Sequence, residues 1–357
     1  MSGAPPRLDD PFTEVVVRER LGRVLGRLHG TPTVVESVKR FTAGFSWMTY
    51  GFIAAWAAPE GPQQRRMVLR IGPPTGLFAP YRASPEFTVL KALQGHGVPV
   101  PQVYAFSDGV EDFGAPFFIC EHLPGIAPLP WVASGTDAFE PVLRAALAEQ
   151  FVGALAALHR FAWRNSPVAT LAAEVSTGTA AARQVAHWEE ALRRWALREY
   201  PVVEQALVWL RANCPVAPQV SIIHGDYRIG NFLVADDRIS AVLDWELVHL
   251  GDPHEDLAFM CLRAFGGPAR DGRFLVCHLL TREALYERYA ALTGMQPQPA
   301  SVLFYELFNV FKLLVIHVGA TRCFEDGGFT DLRMPAMGAQ IPRVLLQIEK
   351  ALEAAAR

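Results

Sequence analysis

The 357-residue sequence has no excess of basic charge, because 33 Lys and Arg stand against 36 Asp and Glu, for a formal net charge of -3. The broad positive field that would attract nucleic acid or an anionic membrane is therefore missing, and we expect neither as a partner. The five cysteines are scattered and form no C-x-x-C pair. This spacing argues against a zinc site, and we expect reduced thiols in a cytoplasmic protein.

Long apolar runs are also scarce. Residues 1–11 contain prolines and charges but no apolar run, which argues against a signal peptide. The most apolar stretch, Leu303–Ala320, is interrupted by Glu306, Lys312 and His317, which favours a buried helix over a membrane span. No internal repeat or low-complexity tract is present.

The first third of the chain predicts a strand-rich unit. Hydrophobic periodicity and β-branched or aromatic enrichment distinguish its helices from its strands. Short connections containing glycine and proline favour an antiparallel meander for the first three strands. The predicted helices are Phe12–Leu28 and Ser84–Gly95, and the predicted strands are Val34–Phe41, Thr49–Ala58, Met67–Ile71 and Pro116–Cys120.

The composition becomes rich in alanine and leucine after Pro124, with helical periodicity in Phe139–Phe161 and Ala180–Asn213. A chain of this length allows about two domains. We therefore predict an N-terminal lobe over residues 1–122 and a C-terminal lobe over residues 123–357. Within the second lobe, Val220–Ile223 and Ile239–Leu243 have the pattern of short buried strands.

The strongest chemical signal lies between those two strands. Residues His224–Asn231 read H-G-D-Y-R-I-G-N, called the HGD loop below, and Asp244-Trp245-Glu246 closes the second strand. Such a loop brings a carboxylate, a cation and a carboxamide together. Phosphoryl transfer needs an oriented hydroxyl, shielded phosphate charge and magnesium, and each need has a candidate side chain here.

H-G-D-x-x-x-x-N followed by D-W-E resembles the aminoglycoside phosphotransferase family, which is related to the protein kinases. Residues Val220–Ala258 look most similar to the branch fused to acyl-CoA dehydrogenases, and the resemblance extends from about Phe41 to Ala258. It implies an α+β, bilobal, protein-kinase-like fold. The small N-terminal lobe would hold an antiparallel sheet with one helix, and the larger C-terminal lobe would be mostly helical.

The resemblance assigns roles in the C-terminal lobe, with ATP and Mg²⁺ as cofactors. Asp226 would orient the substrate hydroxyl and accept its proton, and Arg228 would meet the transferring phosphate. Asn231 and Asp244 offer the hard oxygen ligands that magnesium prefers. His224 is expected to position the loop rather than to take part in the chemistry.

The resemblance also assigns nucleotide contacts in the N-terminal lobe. Gly44 and Ser46 would belong to the loop that covers the ATP phosphates, although an ordinary hairpin fits these residues equally well. Arg70 on the third strand would pair with Glu86. Most family members have lysine at the position of Arg70, but a guanidinium can also bind phosphate bidentately.

The adenine edge is expected to meet the backbone of a hinge formed by Glu121, His122 and Leu123. Only seven residues separate Asp244 from Asp252, which leaves no room for the activation segment on which protein kinases dock peptides. We therefore expect a small hydroxylated substrate and no protein substrate. The resemblance implies four candidate walls for its pocket: Trp188, Trp195, Tyr305 and His317. A plain core position is the commoner explanation for the two tryptophans and for His317.

Structural explanations compete with several of these roles. Asp226 and Asn231 are also common in turns, and Asp252 and Asp256 are expected to cap the helix that follows the motif. Three further acidic and histidine side chains lie in the same segment, but no H-E-x-x-H spacing supports a metallohydrolase. Gly44–Met48 lacks the final glycine of G-x-S-x-G, so a serine hydrolase is not supported.

The leading expectation is an ATP-dependent kinase of a hydroxylated metabolite, with a hydroxyacyl-CoA or hydroxy acid as suggested acceptor. An antibiotic kinase, acting on an aminoglycoside or on a less charged macrolide, is one alternative. A pocket for a polycationic aminoglycoside should have a surplus of acidic residues, but residues 121–215 hold nine acidic and eight basic residues and residues 277–357 hold eight of each. A catalytically silent nucleotide-binding module is the second alternative.

Overall fold

The computed structural model describes residues 11–41, 46–129, 137–172, 174–327 and 331–355. The chain divides into two compact units, the first comprising Met1–Lys91 and Pro101–Leu123, and the second Ala92–Val100 and Pro124–Arg357. Each unit is described separately below.

The first unit contains a five-stranded antiparallel sheet in the order β1-β2-β3-β5-β4. A continuous hairpin joins β2 and β3, with paired residues from Ala58 and Gly61 to Met48 and Ile71. The elements are α1 Glu14–His29, β1 Thr33–Phe41, β2 Met48–Ala58, β3 Gly61–Ile71, α2 Ser84–Leu93, β4 Val103–Ser107 and β5 Phe117–Glu121.

The core of the first unit lies between α1 and the sheet. In β2, Tyr50, Phe52 and Ala54 are buried, as the two-residue period of a strand predicts. On α1, the buried positions include Val17 and Leu21, which follow the helical period. The predicted antiparallel meander and opening helix are therefore confirmed.

Strand β3 is longer than the predicted Met67–Ile71. Its first half, from Gly61 to Arg66, is polar and mostly exposed, so hydrophobic patterning could not reveal it. Backbone pairing with β2 defines it instead, as in the pair between Arg65 and Ala54.

The described residues of the second unit are mostly helical and form three two-stranded antiparallel sheets. Its elements are α3 Pro141–Arg160, α4 Ala180–Trp195, α5 Pro201–Ala212, β6 Ser221–Ile223, β7 Phe232–Ala235, β8 Arg238–Val242, β9 His249–Gly251, α6 His254–Met260, β10 Gly267–Pro268, β11 Phe274–Leu275, α7 Arg282–Thr293, α8 Pro299–Glu325, α9 Arg333–Gly338 and α10 Ile341–Ala355.

The predicted helical segment Ala180–Asn213 forms two helices. Helix α4 ends at Trp195, and α5 begins with Pro201 in its first turn. Proline lacks an amide hydrogen and is accepted at the start of a helix but not in its interior, which accounts for the break.

Helices α3 and α8 are long and apolar enough to pass a composition test for a membrane span. In their most apolar windows, 44% and 72% of the residues are buried inside the protein. For α8 this is the burial of a core helix, and the buried helix predicted over Leu303–Ala320 is confirmed. Lys312, which interrupts that apolar stretch, is itself buried.

Candidate active site

The HGD loop connects β6 to β7, and the β7–β8 hairpin returns the chain to Asp244. Phe232 pairs with Val242 in this hairpin, and the amide of Leu243 donates to the carbonyl of Asn231 over 2.6 Å. Asn231 and Asp244 therefore lie at the same end of the hairpin, because Asn231 precedes Phe232 and Asp244 follows Leu243. The two predicted magnesium ligands are thus brought together by local backbone pairing.

The carboxylate of Asp226 binds two other members of the HGD loop. Arg228 donates from Nε to Oδ1 over 2.8 Å and from Nη2 to Oδ2 over 3.2 Å. Asn231 donates from Nδ2 to Oδ2 over 2.5 Å and to the Asp226 carbonyl over 3.0 Å. Because Nδ2 of Asn231 makes these contacts, its carbonyl oxygen Oδ1 is the atom suited to a metal ion.

Arg228 keeps its charge despite being largely enclosed. Its guanidinium lies 4.9 Å from the ring centroid of Phe265 and donates to the carbonyl of Ile229. Burial alone would lower the pKa of Arg228, but the carboxylates of Asp226 and Asp244 outweigh burial and raise it. A permanent cation therefore lies beside the carboxylate predicted to act as the base.

Asp244 has a left-handed backbone, with φ 59° and ψ 58°. Aspartate and asparagine tolerate this conformation better than most residues with a side chain. The next residue, Trp245, is buried and donates its indole N–H to the carbonyl of Val242 over 2.9 Å. This anchored turn holds Asp244 at the end of the β7–β8 hairpin.

His224 positions the HGD loop, as predicted. Its Nε2 lies 2.8 Å from the carbonyl of Leu243, and its Nδ1 lies 3.2 Å from the amide of Asp226. A carbonyl can only accept and an amide can only donate, so Nε2 carries the hydrogen and Nδ1 is an acceptor. The ring is therefore neutral, and burial lowers the pKa of His224, which agrees with this assignment.

The neutrality of His224 predicts that acid weakens the fold. Folding lowers the pKa of His224, so below about pH 6.5 the imidazole binds a proton in the unfolded chain more readily than in the folded chain. The free energy of unfolding therefore decreases as the pH falls below about 6.5. We expect the free energy of unfolding of His224→Gln to decline less steeply from about pH 7 to 5 than that of the wild type. Urea unfolding at a series of pH values measures the two slopes, and equal slopes would contradict the assignment.

Asp256 is not a helix cap, which corrects the prediction for this residue. It lies inside α6, and its oxygens accept the amides of His224 over 2.8 Å and Gly225 over 2.9 Å. Burial alone would raise the pKa of Asp256, but His159 and these hydrogen bonds hold it below the usual value. Asp252 does accept the amide of His254, the first residue of α6.

The acidic and histidine side chains around α6 pair with one another rather than converging. Asp252 contacts His254 over 2.7 Å, and His249 contacts Glu255 over 3.2 Å. Within the described ranges, no group of three or more His, Cys, Asp or Glu side chains is arranged to hold a metal ion. The predicted magnesium ligands, one carboxamide and one carboxylate, remain a suitable hard-oxygen pair.

In the first unit, Arg70 and Glu86 form the predicted ion pair. Nη1 of Arg70 lies 2.6 Å from Oε1 of Glu86, and their side chains are 13% and 4% exposed. The rings of Trp47 and Phe118 lie 5.5 Å and 5.6 Å from the Arg70 guanidinium. The rings and carboxylate hold the guanidinium of this pair in one place.

The other predicted nucleotide contacts of the first unit are partly described. Ser46 is buried, whereas Gly44 lies outside the described residues. At the predicted hinge, the amide of Glu121 donates to the carbonyl of Gln102, and that of His122 donates to the carbonyl of Arg66. Both amides are thus used within the sheet.

Two predicted pocket walls are core residues. Trp188 and Tyr305 are 5% and 0% exposed, whereas Trp195 and His317 are half-buried.

The sequence prediction missed two sets of contacts with the HGD loop. Lys312 donates to the carbonyl of Gly225, and the Asp256 carboxylate accepts the amides of His224 and Gly225. The available signal was a lone lysine in an apolar helix, because a buried charge requires a partner.

Comparison with known proteins places this geometry in a family. Residues 60–292 match the sequence model of the phosphotransferase enzyme family, APH. Mouse (Mus musculus) acyl-CoA dehydrogenase family member 10 is 29% identical over 323 residues, which cover 87% of this chain and 29% of that protein. The chain spans about a quarter to a third of the length of the curated relatives it matches.

Solved structures show the same fold. A candidate aminoglycoside phosphotransferase from Ralstonia eutropha has a TM-score of 0.70 and 24% identity, and the match covers 94% of this chain and 98% of that one. A thermostable mutant of aminoglycoside phosphotransferase APH(4)-Ia, in ternary complex with AMP-PNP and hygromycin B, has a TM-score of 0.54 and 15% identity, covering 94% and 99%. The predicted bilobal, kinase-like α+β fold is confirmed.

The fold and the HGD loop define a phosphotransferase with a kinase-like architecture. The chain belongs to the phosphotransferase enzyme family. The family and enzyme class predicted from the sequence are therefore confirmed.

Proposed function

We propose that the chain transfers the γ-phosphate of ATP to a hydroxyl group of a small metabolite, with a hydroxyacyl-CoA or hydroxy acid as the acceptor. The observation that carries this proposal is the set of contacts joining Asp226 to Arg228 and Asn231, beside Asp244. Those groups meet the needs of phosphoryl transfer, which depends on positioning and charge stabilisation.

In the proposed reaction, Asp226 orients the acceptor hydroxyl and takes its proton. The acceptor oxygen forms a bond to the γ-phosphorus as the bond from that phosphorus to the β,γ-bridging oxygen breaks, which releases ADP. Arg228 stabilises the negative charge on the transferring group and, being permanently charged, competes for no proton.

Asn231 Oδ1 and the Asp244 carboxylate would hold magnesium in this proposal. The ion would supply charge neutralisation for the phosphate oxygens. Asp226 is kept out of this role by the Arg228 and Asn231 donors on both of its oxygens.

The N-terminal residues are proposed to bind the nucleotide, so that residues 1–122 cover it and residues 123–357 carry the chemistry and the acceptor. Arg70, oriented by Glu86, would neutralise phosphate charge, and Gly44 and Ser46 would cover the phosphates. Because the Glu121 and His122 amides donate within the sheet, the Leu123 amide is the donor of this segment that we assign to the adenine edge.

Removing the ion pair of the first unit is expected to weaken ATP binding. We propose Arg70→Met combined with Glu86→Gln, because removing both charges avoids leaving one buried and unpaired. A charge-assisted contact contributes about 1.5–3 kcal/mol, so the Kd for Mg-ATP should rise roughly 10- to 100-fold. Calorimetric titration measures it, and Arg66→Met, on the exposed part of β3, is the control. An unchanged Kd in the double variant would contradict the role of Arg70.

The acceptor class is supported by relatives rather than by geometry. Matched relatives are named acyl-CoA dehydrogenase family members, which favours a hydroxylated acyl compound as the substrate.

An antibiotic kinase is the second candidate, favoured by the fold neighbour in complex with hygromycin B. The balanced charges of residues 121–215 and 277–357 argue against a polycationic acceptor. A silent nucleotide-binding module is the third, and the mutual contacts of Asp226, Arg228 and Asn231 argue against it.

A nucleotide-consumption screen with magnesium tests the proposal. The panel contains hydroxyacyl-CoAs, hydroxy acids, sugars, amino alcohols, aminoglycosides and macrolides, and both ATP and GTP are tried. We expect turnover with a hydroxylated acyl compound. Turnover with an antibiotic alone would favour the second candidate, and ATP binding without turnover across the panel would favour the silent module.

We also propose a cytoplasmic location. All five cysteines are free thiols, as expected for a reducing compartment. Localisation of a tagged full-length chain by microscopy or fractionation tests it.

A further inference from the structure

Lys312 places a buried ammonium group against the HGD loop. It lies on α8, is 1% exposed, and donates from Nζ to the carbonyl of Gly225 over 2.8 Å and to Oε1 of Glu255 over 2.9 Å. The rings of Phe259 and Phe308 lie 4.5 Å and 5.7 Å from Nζ. A charge in such surroundings is costly unless it is fully paired, so these contacts determine where the ammonium lies.

Glu255 is shared between Lys312 and His249. Its Oε2 lies 3.2 Å from Nε2 of His249, whose Nδ1 lies 2.9 Å from the carbonyl of Leu247. Both partners are acceptors, so both ring nitrogens donate and His249 is an imidazolium. Burial and Lys312 act to lower the pKa of His249, but Glu255 outweighs them and raises it. His187, on α4, also faces His249 and Glu255.

Three features constrain the backbone of Gly225. Its amide donates to Asp256, and its φ of 83° is one that residues with a side chain rarely adopt. A Cβ atom there would also lie 2.8 Å from both Cβ and O of Leu247, which is too close. Its carbonyl belongs to the peptide group that supplies the amide of Asp226. The contact from Lys312 to that carbonyl therefore fixes the orientation of the peptide immediately before Asp226.

We propose that Lys312 is a positioning residue for Asp226, which acts by holding the Gly225–Asp226 peptide from the carbonyl side while Asp256 holds the HGD loop from the amide side. This inference rests on the proposed function of Asp226. It assigns to the buried Lys312–Glu255 pair a role in turnover as well as in folding. A pair that serves folding alone would lower stability when broken but leave the Asp226 peptide in place.

Lys312→Met separates these two roles. The substitution removes the contact to Gly225, but Glu255 keeps its partner His249, so no buried charge is left alone. Lys350→Met, on an exposed position of α10, is the matched control. If Lys312→Met does not fold, Lys312→Met combined with Glu255→Gln removes the buried pair entirely and carries the same expectation for turnover and for the Gly225 carbonyl.

The experiment measures turnover, Mg-ATP binding and the crystal structure of each variant. We expect kcat of Lys312→Met to fall about 10- to 100-fold, the cost of a small misplacement of a reacting group, with the Kd for Mg-ATP nearly unchanged. The crystal structure should show the Gly225 carbonyl turned away from its wild-type direction. Histidine NMR should show a higher pKa for His249, because Lys312 lowers it in the wild type.

Wild-type turnover with a Gly225–Asp226 peptide that keeps its position would overturn the inference. If the wild type itself shows no turnover with any acceptor, the proposed function fails. The position of the peptide in the two crystal structures then still decides whether Lys312 orients it.

Discussion

Asp226→Asn is expected to lower the rate of phosphate transfer by roughly 10²–10⁴-fold, the usual contribution of a positioned general base. Asparagine cannot accept the proton of the acceptor hydroxyl. Its amide also places a donor where Arg228 and Asn231 both donate in the wild type. The Kd for Mg-ATP should change little, because Asp226 is assigned to the acceptor rather than to the nucleotide.

Steady-state turnover with the acceptor found by the screen, together with calorimetry for Mg-ATP, measures this effect. Asp237→Asn is the matched control, since Asp237 lies exposed in the turn of the β7–β8 hairpin and undergoes the same chemical change. Turnover of Asp226→Asn near the wild-type value would remove Asp226 from the role of base.

Asp244→Asn is expected to abolish the magnesium-dependent part of ATP binding. Asparagine is chosen because Asp244 has a left-handed backbone, with φ 59°, that asparagine also tolerates. The substitution replaces a charged carboxylate ligand with a neutral amide oxygen. Loss of an outer partner alone costs 10- to 100-fold in metal affinity, so loss of the charge on this direct ligand should exceed about 100-fold.

Titration of ATP with and without magnesium separates this effect from any loss of folding. Asp236→Asn is the control, because Asp236 also has a positive φ, 49°, in the same hairpin but is exposed at its turn. If Asp244→Asn retained the wild-type magnesium dependence, the metal would have to be held elsewhere.

Local patterns predicted the elements of the fold well where a strand or helix has one buried face. The buried alternation of β2 and the spacing of Val17 and Leu21 on α1 are such cases. The polar first half of β3 was not predictable, because only its pairing with β2 makes it a strand. The break between α4 and α5 follows from Pro201, but helical periodicity on both sides obscured it.

The members of the predicted site that a single loop and hairpin connect were found from the H-G-D-x-x-x-x-N and D-W-E motifs and from the family resemblance that these motifs carry. Asp226, Asn231 and Asp244 lie within 19 residues, and the pairing of β7 with β8 brings the last two together. Lys312 could not be found in this way, since it is 87 residues from Gly225 in the chain. Asp256 had the residue type and position of a helix cap, and only the packing of α6 against the loop showed which amides it binds.

Phosphorus NMR of the wild type with Mg-ATP and the best acceptor, run beside Asp226→Asn, tests the central claim most directly. The account predicts that the wild type forms ADP and a phosphate ester of the acceptor hydroxyl, while Asp226→Asn binds Mg-ATP but forms the ester far more slowly. Equal rates of ester formation by the two proteins, or ATP bound by the wild type with no ester formed, would contradict it.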